Sequence, residues 1–239
     1  MIFIAIVDPS IGNSENLVKT HMKWCYEYAN AHKEQFRQHV VTRIESPEAF
    51  IKSLQSVLYN KNYYNETIYL YYFCHGIRKD GVDYLRFGNN IFIRDSAVTE
   101  VYFRNCVRHL TVFYECCHSQ GLYEPTERCY IDVPRILQNV NISCNSSSEK
   151  DIRYYKNNIT VICTSLITEQ SMAGFDIDGN IHTQITDILL TLKSIGLNEN
   201  PFFNKISTVV DYVNTQLFVS MKGKQNMIVF SPNLLINWF

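Results

Sequence analysis

The sequence predicts an α/β fold, with a mainly parallel central sheet flanked by helices and a small antiparallel hairpin. Three observations lead there. Strand-like runs alternate along the chain with helical patterns, which is the signature of βαβ units. Two of the runs, Ile68-Tyr-Leu-Tyr-Tyr-Phe-Cys74 and Thr111-Val-Phe-Tyr114, are β-prone without polar alternation, as strands buried on both faces must be. A length of 239 residues with 46% hydrophobic content suits one undivided α/β domain with a sizeable core.

The first strand is residues 2–7, and it stops at Asp8-Pro9. A helix is expected from Ser14, a suitable N-cap, carrying Leu17, His21, Trp24, Cys25 and Tyr28 at helical spacing. Residues 40–44 predict a second strand. Ser46-Pro47-Glu48 then opens a helix with serine as cap and proline at its first position, turning Phe50, Leu54 and Leu58 inward. The central strand, 68–74, delivers His75. Beyond Gly76, residues 84–87 and 91–93 flank Gly88-Asn89-Asn90, a hairpin signal because glycine and asparagine tolerate the positive φ of tight turns. A short helix over 96–107 leads back to the strand that ends at Glu115. Residues 122–157 are polar and irregular, including Asn145-Ser-Ser-Ser-Glu-Lys150, and are expected to form a flexible or processing loop within the single domain 1–239. A strand at 159–163, helices at 181–195 and 206–219, and a final strand at 227–230 complete the prediction. With the first strand starting at once, no N-terminal prodomain is expected.

Both buried runs end abruptly in chemistry. One closes on Cys74-His75-Gly76 and the other on Glu115-Cys116-Cys117-His118-Ser119. In parallel sheets, catalytic and ligand groups collect where the carboxyl ends of strands open into loops, so two such strands set an imidazole beside a thiol. A thiol nucleophile and an imidazole that manages its protons suffice for acyl transfer. Successive strand residues face opposite sides, so only one of Cys116 and Cys117 can face His75. A zinc centre is not expected, because adjacent ligands without Cys-x-x-Cys spacing fit poorly with tetrahedral coordination.

These two motifs resemble those of the caspase-like (caspase–hemoglobinase) cysteine peptidases, and within them the metacaspases, whose second motif reads Asp-x-Cys-His-Ser-Gly. Glu115 takes the Asp position, Cys117 the nucleophile position, and His118-Ser119 match outright, while Gln120 stands where glycine is usual. The pair His75 and Cys117 stands 42 residues apart (117 minus 75), slightly under the roughly 50 of caspases. The resemblance implies a cysteine endopeptidase acting on protein or peptide substrates. It implies Cys117 as nucleophile, His75 as catalytic partner, the amides of Gly76 and Cys117 as oxyanion hole, and Glu115, Asn16 and Ser171 lining the S1 pocket. It also implies a preference for Arg or Lys at P1, although the chain departs from the family there. Asn16 stands where Asp is usual, and Gly174 where Asp commonly follows Gln-Thr-Ser-Ala, so Glu115 is the only aligned acid. Glu-x-Cys also occurs in legumain-like peptidases, which cut after Asn. The loss of pocket acids keeps open a further alternative, a pseudoenzyme that uses the fold as a binding module. Many metacaspases need calcium, which makes the ion a possible activator. Asp176-Ile-Asp178-Gly179-Asn180 resembles the start of a calcium loop, but Ile181 occupies the turn-glycine position and no bidentate Glu follows, so a surface turn is expected.

A formal net charge of −1 and a pI near 6.6 give no electrostatic footprint for nucleic acid or an anionic membrane. No apolar run approaches the roughly 18 residues of a membrane span. The eight cysteines show no framework spacing, which suits free thiols in a reducing, cytoplasmic compartment. In the resembled family, caspases dimerise through the last strand and metacaspases usually do not. A monomer is expected.

Overall fold

The computed structural model describes residues 1–46, 49–50, 66–88, 91–93, 107–123, 159–166, 168–194 and 206–230. The expected loop from 124 onward, the helix over 96–106 and the helix body beyond Phe50 lie outside these residues. Six strands make the central sheet: β1 (Ile2–Val7), β2 (Arg37–Val41), β3 (Glu66–Phe73), β7 (Val107–Glu115), β8 (Ile159–Cys163) and β11 (Ile228–Phe230). Their order is β11-β8-β7-β3-β1-β2, parallel throughout except for the antiparallel β11. Alternation along each strand supplies two cores. Ile2, Ile4, Ile6, Ile68, Leu70, Tyr72, Leu110, Val112, Tyr114 and Val161 point to one face. Phe3, Ala5, Val7, Tyr71, Phe73, Phe113 and Ile162 point to the other. Both faces are covered, which is why these strands read as unbroken apolar runs.

The second face is roofed by α1 (Glu15–Ala31), α3 (Gln184–Ser194) and α4 (Ile206–Met221), through Leu17, Trp24, Leu189 and Val213 among others. The first face is covered by Phe50, by Leu122 of α2 (Ser119–Tyr123), and by Leu85, Phe87 and Ile93 of a second sheet. That sheet is antiparallel, order β4-β5-β6, from β4 (His75–Lys79), β5 (Val82–Phe87) and β6 (Ile91–Ile93). The β5–β6 pair is the hairpin expected from Gly88, whose φ is 57°.

Several boundaries differ from expectation for physical reasons. The second strand is Arg37–Val41 rather than 40–44, because it is an edge strand with alternating exposure whose register is set by pairing Ile2 with Arg37. Residues 181–183 are not helical. They form β10 (Ile181–Thr183), paired antiparallel with β9 (Ala173–Phe175) around a turn at Gly179, and the helix starts only at Gln184. Ser14 sits at the N-cap of α1 but makes no side-chain cap bond; Asn13 Oδ1 accepts the Glu15 N–H instead. At Ser46 the expected cap forms, with Oγ accepting the Ala49 N–H at 3.1 Å.

Candidate functional site

β3 and β7 are adjacent and parallel, with Phe73 beside Glu115, so the residues just beyond them share one sheet end. His75 does not open into a free loop as expected. It begins β4 directly after the bend at Cys74 and pairs with Arg86 of β5, while Gly76 pairs with Leu85. Gly76 is packed against the backbone of Cys117. A Cβ there would overlap the Cys117 carbonyl oxygen, 2.6 Å from its carbonyl carbon and 3.0 Å from its nitrogen. The glycine is required by this close approach of two backbones.

The two adjacent cysteines differ in burial. Cys116 is buried in the core with Tyr114, and Cys117 is half-buried beyond the strand end. The Cys117 thiol donates to the Ser171 carbonyl, with sulfur and oxygen 3.9 Å apart. Burial pushes this thiol up, only partly opposed by the Ser171 contact, and Cys116 raises it further. Burial also lowers the affinity of His75 for a proton, with Arg86 acting in the same direction and Asp8 against it. At neutral pH the pair is therefore a thiol and a neutral imidazole rather than an ion pair. His118 follows in the left-handed region, φ 55°, and donates its N–H to the Glu169 carbonyl at 3.0 Å. That conformation turns the chain from the strand end into α2.

Glu115 is 2% exposed. Its Oε1 accepts from Ser171 Oγ at 3.4 Å and its Oε2 from Thr186 Oγ1 at 3.3 Å, and the Thr183 hydroxyl also bonds to it. Neutral hydroxyl bonds contribute on the order of 1 kcal/mol each, less than the several kcal/mol needed to desolvate a carboxylate. Burial consequently dominates and pushes Glu115 up to about 8. The structure brings Glu115 and Ser171 together, with the acid buried beneath its hydroxyl partners. Asn16 is exposed in the first turn of α1, where its carbonyl accepts Thr20 Oγ1. Gly174 lies in exposed β9.

Sequence reasoning passed over three residues. Asp8 is buried at the end of β1, its N–H bonded to the Phe73 carbonyl and its carboxylate accepting from Ser10 and Gly88. It ties β1 to the corner that carries His75. Thr183 and Thr186 complete the shell of Glu115, and nothing local in the sequence marks them. The signal for Asp8 was available, since β1 ends in a lone acid at the same sheet end as the other two motifs.

Residues 176–180 form the surface turn expected for them. Asp176 Oδ1 accepts from the Asp178 and Asn180 N–H groups, and Oδ2 lies 3.0 Å from Asn180 Nδ2 and 3.1 Å from His182 Nε2. Among the described residues no group of three or more His, Cys, Asp or Glu is arranged to hold a metal, and no helix is long and apolar enough to cross a membrane.

No protein-family model matches the sequence, and no curated protein matches it. Solved structures do. A crystal structure of a protein from Geobacter sulfurreducens is 13% identical with a TM-score of 0.53, over 99% of this chain and 97% of that one. The crystal structure of caspase-1 from Spodoptera frugiperda is 10% identical with a TM-score of 0.52, over 99% of this chain and 88% of that one. Similarity at this identity shows the fold, which is caspase-like.

Proposed function

We propose that this chain is a cysteine endopeptidase of metacaspase type, with Cys117 as nucleophile and His75 as its proton carrier. The observation that carries the reading is the packing of Gly76 onto the Cys117 backbone, which holds the two motif ends together. Cys117 Sγ attacks the scissile carbonyl carbon while its proton passes to the neutral His75 imidazole. The amides of Gly76 and Cys117 receive the developing oxyanion, an interaction of the kind that often supplies a large part of the rate. Collapse of the tetrahedral intermediate returns the proton from His75 to the leaving amine. Water, deprotonated by His75, then hydrolyses the thioester.

A P1 preference for Arg or Lys rests on Glu115. Since burial raises that carboxyl to about 8, an incoming cation must displace its proton, so cleavage after Arg should strengthen as pH rises toward 8. The neutral, hydroxyl-bonded state of Glu115 favours a second reading, legumain-like cleavage after Asn, whose amide can bond to an uncharged acid.

A panel of P1-varied fluorogenic peptides, assayed across pH with calcium or a chelator, tests both. Cleavage after Arg or Lys that is lost in Cys117→Ala and retained in Cys116→Ala supports the first reading. Cleavage after Asn, unaffected by Glu115→Gln, transfers the specificity to the second. No cleavage of any peptide, with thiol-directed probes failing to label Cys117, reduces the chain to a binding module.

A further inference from the structure

The loop that follows β8 reaches the site through Ser171, whose carbonyl accepts the Cys117 thiol and whose hydroxyl donates to Glu115. Residues 164–166 and 168–171 belong to no strand or helix, and within them Thr164 Oγ1 donates to Ser171 Oγ at 3.1 Å. A further anchor comes from the far end of the chain. After α4, Lys222 and Gly223 adopt positive φ of 55° and 71° and reverse the backbone. The turn drives Gln225 inward until it has no exposed surface. Its Nε2 donates to the Thr164 carbonyl at 2.8 Å and lies 3.4 Å from Ser171 Oγ, while its Oε1 accepts the Met172 N–H at 3.0 Å. One amide thus spans both stems of the loop.

The orientation of that amide is determined by its partners, because a flip would face oxygen to the Thr164 carbonyl and NH2 to the Met172 N–H. The turn itself is held on either side. Asn226 donates from its backbone and side chain to Glu169, at 2.8 and 2.6 Å, and Asn214 exchanges two bonds with the Met227 backbone. Glu169 in turn accepts the Leu166 N–H, and its carbonyl accepts the His118 N–H next to the nucleophile.

We propose that Gln225 is a positioning residue for the candidate active site: its buried amide ties Thr164 to Met172 so that Ser171 presents its carbonyl to Cys117 and its hydroxyl to Glu115. The kinetic part of this inference rests on the peptidase reading, whereas the thiol part does not. Gln225→Met keeps length and bulk but removes both donors and the acceptor, and Gln225→Asn keeps an amide one methylene short. Folding of each is checked by circular dichroism and thermal melting. The reactivity of Cys117 is read by timed iodoacetamide labelling with mass mapping of its peptide.

For folded Gln225→Met, Cys117 labelling should change several-fold. The kcat should fall by up to about 10²-fold, the scale of a 1 Å misplacement, with KM less affected. If Gln225 acts through Ser171, Ser171→Ala and Gln225→Met combined should lose less than the product of their separate losses. Should Gln225→Met fail to fold, Gln225→Asn carries the same comparison. A folded variant with wild-type labelling and kcat, or losses that multiply independently, overturns the proposal while leaving a working wild-type peptidase intact as a reading. Altered Cys117 labelling in a protein whose wild type cleaves no peptide does the reverse, upholding the positioning role and removing the peptidase.

Discussion

His75 and Glu115 are each displaced from ordinary titration by burial, and the direction of each shift has a consequence that can be measured. His75 is neutral at pH 7 and half-buried at a strand start, so His75→Ala should lower turnover by about 10²–10⁴-fold, the usual contribution of a general acid–base group. Melting should change little. His118→Ala should be far milder in turnover, since the proposed proton carrier is His75. Full activity in His75→Ala with inactivity in His118→Ala would exchange the roles of the two. For Glu115 the folded form holds its proton up to about pH 8, above the unfolded carboxyl. The native state therefore binds more protons between the two pKa values, and stability declines as pH rises through that window. Thermal melts of the wild type from pH 4 to 9 should show this decline, and Glu115→Gln should flatten it. An unchanged slope in Glu115→Gln would assign the pH dependence to other groups.

Elements buried on both faces were legible in the sequence, and elements defined by their partners were not. β1, β3, β7 and β8 appear as contiguous apolar runs because helices cover one side and the second sheet covers the other. β4 was invisible: His-Gly-Ile-Arg-Lys carries no strand pattern and exists as a strand because β5 pairs with it. The three-residue β9 and β10 are too short for periodicity to register. The sheet end that carries residues 75, 76, 115 and 117 was likewise legible, since all four lie at or just beyond the ends of β3 and β7. Of the shell of Glu115, Ser171 came only through the family resemblance, and Thr186, which arrives from 71 positions away, had no signal at all. The β3–β4 corner yields its own prediction. In Gly76→Ala the methyl meets backbone atoms of Cys117, which cannot rotate aside. The corner must shift, at an overpacking cost of about 1–3 kcal/mol. Denaturant unfolding should report that loss, together with slower thiol labelling of Cys117. Wild-type stability and labelling in Gly76→Ala would show that the corner yields and that the contact does not fix the site.

At the scale of the whole molecule, the six-stranded sheet has two edges, β2 and β11. β2 carries Arg37 and His39, polar groups of the kind that discourage edge-to-edge pairing, whereas β11 is Ile-Val-Phe and has no charge of its own. Charge alone would leave β11 as the weak point. Length argues the other way, because a three-residue strand pairing with its copy offers few ladder bonds, and a stable interface needs on the order of 1,000 Å² in total. Flanking surface would have to supply most of that area. On α4, which precedes the β11 turn, Phe218 and Val219 are exposed, yet two side chains of that size fall short of such an area. The chain is therefore expected to be a monomer whose site is complete within one copy. Sedimentation velocity should give a single monomeric boundary at all accessible concentrations, and specific activity should not vary with enzyme concentration. A dimer that dissociates on Val229→Lys, with activity falling in step, would instead make β11 an interface and the second copy a requirement for the site.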